Sequence, residues 1–146
     1  MKVLVSSCLL GYNCKYNGGN NYNYDIVNLS EDVEFVPICP EVFGGLPIPR
    51  KPSEQVFEKV LTQDGDDFTE NFKIGAEVAL DLAVKNECKY AILKSKSPSC
   101  GYGKIYDGTF SHTLIDGNGV ATKLLIENGI QIYNEDTFCE LLKKIK

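Results

Sequence analysis

A chain of 146 residues, 43% apolar and 24% charged, is sized and composed for one globular domain with a real hydrophobic core. Its formal net charge of −5 argues against a general attraction to nucleic acid. No apolar run approaches the roughly 18 residues that a membrane span needs.

Met1 to Leu10 lacks the long apolar stretch and small-residue cleavage site of a secretion signal. Its segment Lys2 to Ser6 reads as a buried first strand. Gly11 to Tyr24 is rich in Gly, Asn and Tyr and reads as a loop, followed by a short helix over 25–30. Val33 to Ile38 reads as a second strand, and Gly44 to Pro52, with two glycines and three prolines, as an irregular loop. Val56 to Thr62 followed by Gln63-Asp64-Gly65 suggests a small strand or hairpin turn.

Thr69 is a candidate cap for a helix reaching about Asn86, with Phe72, Ala76, Ala79 and Ala83 on one face. Small residues there allow close packing on a sheet. Tyr90 to Leu93 reads as a third strand. In Gly101 to Asp116, Tyr106-Asp107-Gly108-Thr109 marks a turn, consistent with a hairpin. Val120 to Asn128 reads as a helix stopped by Gly129, Ile130 to Tyr133 as a fourth strand, and Glu135 to Ile145 as a closing helix. This order predicts a single α/β domain over 1–146, Rossmann-like. Its sheet is mainly parallel, with flanking helices and cysteine-bearing loops at the carboxyl ends of the strands.

Those loops are where the chemistry gathers. Six cysteines without a secretion signal fit a reducing cytoplasm, in which cysteines are buried, metal-binding or catalytic rather than paired. Cys8 follows strand one, Cys39 follows strand two, and Cys100 lies in the loop after strand three. In a parallel sheet these ends share one edge, so three thiols converge and form a candidate metal site. Without a Cys-x-x-Cys pair, neither a zinc ribbon nor a ferredoxin pattern applies, and a thiol redox protein is disfavoured. Cys14 stands apart as a fourth ligand, a reserve thiol or a bystander. Cys88 and Cys139 read as packing residues.

Around these thiols, Glu41 is placed for general acid–base work. Ser97 and Ser99 are placed to donate hydrogen bonds or position water. Gly44, Gly45 and Gly101 would let backbone approach a ligand, and Arg50 would clamp a carbonyl or an anion, or else form a salt bridge. Lys94, Lys96 and Lys104 read as solvated surface charge. His112, the single histidine, has no acid–base partner in view. No Ser–His–Asp set, Walker loop or dinucleotide fingerprint is present.

Val-Ser-Ser-Cys-Leu-Leu-Gly (5–11), Tyr-Asn-Gly-Gly (16–19) and Cys-Pro-Glu-Val-Phe-Gly-Gly-Leu-Pro-Ile-Pro-Arg (39–50) resemble one family. So do Asp64-Gly65, Gly75-Ala76, Lys-Ser-Lys-Ser-Pro-Ser-Cys-Gly (94–101) and Tyr-Asp-Gly-Thr-Phe (106–110). The chain is similar, over essentially its whole length, to the TudS-type thiouracil desulfidases. That resemblance implies a [4Fe-4S] cluster on Cys8, Cys39 and Cys100, with one iron left open to the sulfur of a thiolated nucleobase. It implies a non-redox exchange of sulfur for water oxygen, thiouracil giving uracil and sulfide. A carboxylate and a serine would handle protons, here Glu41 with Ser97 or Ser99. Some relatives carry an added domain and act on thiolated transfer RNA. This chain ends after the core, and its acidity fits a small thiolated base better. The competing expectations are a closed-cluster sensor with Cys14 as fourth ligand and a zinc-bound structural domain.

Overall fold

A computed structural model describes residues 1–145. Four parallel strands form the central sheet: β1 (Lys2–Ser6), β2 (Glu34–Ile38), β5 (Tyr90–Ile92) and β8 (Gln131–Tyr133), in the order β2-β1-β5-β8. Two antiparallel hairpins sit outside it: β3 (Ser53–Val56) with β4 (Lys59–Thr62), and β6 (Lys104–Tyr106) with β7 (Leu114–Asp116). The helices are α1 (Tyr24–Val27), α2 (Pro40–Phe43), α3 (Thr69–Lys85), α4 (Val120–Glu127) and α5 (Cys139–Ile145).

The two-residue alternation of β1 divides the core. Leu4 faces a layer with Ala76, Ala79 and Ala83 of α3 and Ala121 and Leu125 of α4. Val3 and Val5 face Ile26, Phe138 and Leu141 on the other side. The alanine stripe brings α3 close to the sheet, and burying Leu125 completely contributes about 2 kcal/mol. The chain leaves β1 for β2 on one side and returns to β5 on the other. The β1–β5 boundary is therefore a topological switch point, where the carboxyl ends of parallel strands splay and leave a crevice.

Several expectations need correction. Thr69 is the first residue of α3 and not its cap. The cap position is Phe68, and the Thr69 N–H is held by Asp67 Oδ1 at 2.9 Å. The first hairpin turns at Phe57–Glu58, because its leading strand begins at Ser53. The Gln63–Gly65 turn exists, closed by Gly65 N–H on Thr62 O at 3.0 Å, but it lies after the hairpin. The last helix starts at Cys139 and not Glu135, since Asn134 Oδ1 accepts from the N–H groups of Asp136 and Thr137 and holds a turn there. Cys139 is exposed, whereas Cys88 is packed in the core. The short α2 was not foreseen.

Candidate functional site

Each of the three expected thiols is delivered by the end of a sheet strand. Cys8 lies in a 3₁₀ turn, Ser7–Leu10, directly after β1. Cys39 is the N-cap of α2, directly after β2, with Pro40 at the first helical position, where its missing N–H and fixed φ suit a helix start. Cys100 follows β5. The edge is stitched beyond the strand ladder by Ser6 Oγ, which accepts from Lys94 N–H at 2.9 Å. Cys14 joins the group: it is buried, its thiol lies beside those of Cys8 and Cys39, and its carbonyl oxygen accepts from Cys39 Sγ at 3.8 Å. All four are free thiols. Among the described residues no three or more His, Cys, Asp or Glu gather around a single-ion position.

The thiols are electrostatically unequal. Cys8 is lowered to about 7, chiefly by the neighbouring Cys14 thiol and against burial, with help from Asn21 and the Lys94 ammonium. Asn21 Nδ2 donates to Cys8 Sγ at 3.4 Å. Cys39 is also lowered to about 7, again chiefly by Cys14 and against burial, helped by the Val42 N–H and the Arg50 charge. Cys14 is pushed up, chiefly by the neighbouring Cys39 and Cys8 thiols and then by burial. Burial pushes the Cys100 thiol up to about 12, and the charges of Cys8 and Cys39 add to this.

Beside the thiols runs a hydrogen-bonded row of oxygens. Ser97 Oγ accepts from the N–H groups of Ser99 and Cys100, each at 3.1 Å, so its own proton points to Ser99 Oγ, 2.9 Å away. The single Ser99 hydroxyl proton then goes to Glu41 Oε2 at 2.8 Å, leaving Cys100 Sγ at 3.7 Å as a weaker neighbour. The other carboxylate oxygen, Oε1, accepts from Arg50 Nε at 3.2 Å. Arg50 thus forms the salt bridge that was one of its two expected roles.

The loop from Ser97 to Cys100 is fixed from both flanks. The first N–H groups of a helix lack partners within it, and in α4 they bond to this loop. Val120 donates to Pro98 O at 2.9 Å, Ala121 to Ser99 O at 3.0 Å, and Thr122 Oγ1 to Cys100 O at 2.8 Å. On the other flank Gln55 Nε2 donates to Pro98 O at 3.1 Å and Asn118 O at 2.9 Å. The Cβ positions of two of the expected ligand-facing glycines are closed by backbone. A Cβ on Gly44 would lie 2.0 Å from Asn71 O, and one on Gly101 would lie 2.6 Å from Ser97 O. Gly45 takes φ +96° in the turn after α2.

Sequence reasoning did not find Asn21, Gln55 or the Lys94–Glu135 pair. Glu135 Oε2 lies 2.6 Å from Lys94 Nζ, and Glu135 also accepts from Ser95 N–H and Oγ. These contacts join segments far apart in the chain, and no local pattern marks them. Lys94 is therefore a structured member of the strand edge and not simply solvated surface. His112 packs edge-on against Tyr106.

The fold is thus a parallel α/β sheet whose switch-point edge carries cysteines, soft metal ligands by their chemistry, beside a carboxylate and two serines. Comparison with known proteins places it further. Residues 3–137 match the family described as 2-thiouracil desulfurase, and the chain belongs to that family. It is 38% identical over 150 residues to the uncharacterized protein YbbK of Bacillus subtilis (strain 168), covering 96% of this chain and 99% of that one. Among solved structures it is similar to the [4Fe-4S]-dependent thiouracil desulfidase TudS. That match has 41% identity and a TM-score of 0.93, covering 99% of this chain and 97% of the other. No helix of the described residues is long and apolar enough to cross a membrane.

Proposed function

We propose that this protein removes sulfur from a thiolated base, 2-thiouracil being the simplest case, with a [4Fe-4S] cluster held by Cys8, Cys39 and Cys100. The observation that carries the reading is the convergence of those thiols beside the hydrogen-bonded Glu41–Ser99 pair. The donor set fits such a group: soft thiols suit iron–sulfur binding, and a bound metal would stabilise the thiolate of Cys100 that burial disfavours. When bound, the cluster supplies a thiophilic iron for the thiocarbonyl sulfur.

The remaining work belongs to the chain. Water oxygen bonds to the thiocarbonyl carbon, the carbon–sulfur bond breaks, and sulfur departs as sulfide with no change of oxidation state. The exchange is hydrolase-like. Glu41 takes the proton of the attacking water through Oε2, whose hydrogen bond from Ser99 is already aimed. Ser97 keeps Ser99 oriented through its two backbone donors. Net charge of −5 fits a small base as substrate, and the reading places the protein in a reducing cytoplasm.

The test is anaerobic reconstitution followed by addition of 2-thiouracil. Uptake of about four irons and four sulfides per chain, with release of uracil and sulfide, is the expected result. Glu41→Gln keeps the iron and loses about 100-fold or more in turnover. Failure to take up iron, or a loaded protein indifferent to 2-thiouracil, refutes the assignment.

A further inference from the structure

Arg50 is nearly absent from the surface, its side chain only 4% exposed. Each guanidinium nitrogen is engaged within the protein: Nε on Glu41 Oε1 at 3.2 Å, Nη1 on Pro47 O at 3.3 Å, and Nη2 on Cys14 O at 2.9 Å. Its own N–H donates to Tyr16 O at 2.7 Å. One side chain thus joins three pieces: α2, which carries Glu41; the loop that carries Cys14; and the turn after α2. The planar fork of a guanidinium supports such a three-way contact, and a lysine ammonium does not reproduce it.

The consequence falls on Glu41. Its two oxygens are held from opposite sides, Oε1 by Arg50 and Oε2 by Ser99, so the carboxylate cannot rotate without breaking one contact. We propose that Arg50 is a positioning residue for the desulfidation reaction. It fixes the carboxylate plane of Glu41 against the cysteine-bearing loop and does not touch the substrate. This inference rests on the desulfidase reading and adds to it a residue that acts only through Glu41.

The experiment is a turnover cycle on the iron-loaded protein, with wild type, Arg50→Ala, Arg50→Lys, Glu41→Gln and the Arg50→Ala/Glu41→Gln double variant. Iron content and the optical spectrum are measured on each. The expected loss for Arg50→Ala is about 100-fold in kcat, the order of effect that a misplacement of about 1 Å produces. KM for 2-thiouracil stays within about twofold, as for an interaction that does not bind substrate. Arg50→Lys keeps charge and bulk and recovers only part of the rate, and added guanidinium recovers activity in Arg50→Ala. The double variant is no slower than Glu41→Gln, because two residues acting as a unit are not additive.

A raised KM with unchanged kcat makes Arg50 a substrate clamp and overturns the proposal. So does a double variant whose losses multiply, or a rate loss that tracks iron loss across the series. A wild-type protein that loads iron yet yields no uracil refutes the desulfidase reading itself, and this inference with it.

Discussion

Gly75 lies inside α3, where glycine is unfavourable by about 1 kcal/mol relative to alanine. The reason for it is on the neighbouring helix: a Cβ at Gly75 would lie 1.8 Å from Pro40 O and 2.6 Å from Pro40 C. Pro40 O is itself committed, accepting Gly44 N–H at 2.8 Å. Restoring ordinary contact in Gly75→Ala requires α2 to retreat by about 1.6 Å. Such overpacking costs roughly 1–3 kcal/mol or somewhat more, against about 1 kcal/mol gained in helix propensity. A net loss of up to about 2 kcal/mol lowers Tm by up to roughly 6 °C in a domain of this size. The functional effect is larger than the thermal one, because Cys39 precedes Pro40 and Glu41 follows it. A displacement on that scale is expected to reduce turnover by about 100-fold. Calorimetry on the variant, with uracil release measured on samples matched for iron, makes the comparison. A Tm that rises, with turnover within twofold of wild type, refutes the reasoning.

Cys8→Ala, Cys39→Ala and Cys100→Ala each abolish iron loading, read as iron and sulfide per chain, whereas Cys14→Ala retains iron on the three remaining thiols. Complete loss of iron in Cys14→Ala instead makes Cys14 a ligand. Glu135 carries a pH signature. Burial alone would raise its pKa, but Lys94 and the Ser95 N–H outweigh this and hold the carboxyl below its ordinary range. A depressed folded-state pKa stabilises above the unfolded value and loses that contribution as pH falls through the folded one. Glu135→Gln is therefore expected to cost about 1 kcal/mol near neutrality, after allowance for its partial exposure. The gap to wild type narrows as pH falls below the carboxylate range; a gap constant with pH excludes the pair as its source.

The sequence made legible what depends on local pattern. The alternating apolar residues of Lys2–Ser6 and the alanine spacing of α3 marked their elements, and three cysteines after three strands marked one edge. It did not reveal how that edge is held. Ser97 and Ser99 looked like turn residues as much as proton handlers, and only the approach of Glu41 from another strand end gives Ser99 a partner. What closes the Cβ position of Gly44 is Asn71 O, far along the chain, so no local pattern marks it. Cys14 stayed open for the same reason: its place beside Cys8 and Cys39 depends on the path of a loop without periodicity.

The way Cys100 is held has a consequence for how the protein is made. Cys8 and Cys39 leave the ribosome early, while the loop bearing Cys100 takes its shape only when Val120, Ala121 and Thr122 have emerged to bind its carbonyls. On the proposed ligand set, a nascent chain therefore lacks its finished third position until the start of α4 has been synthesised.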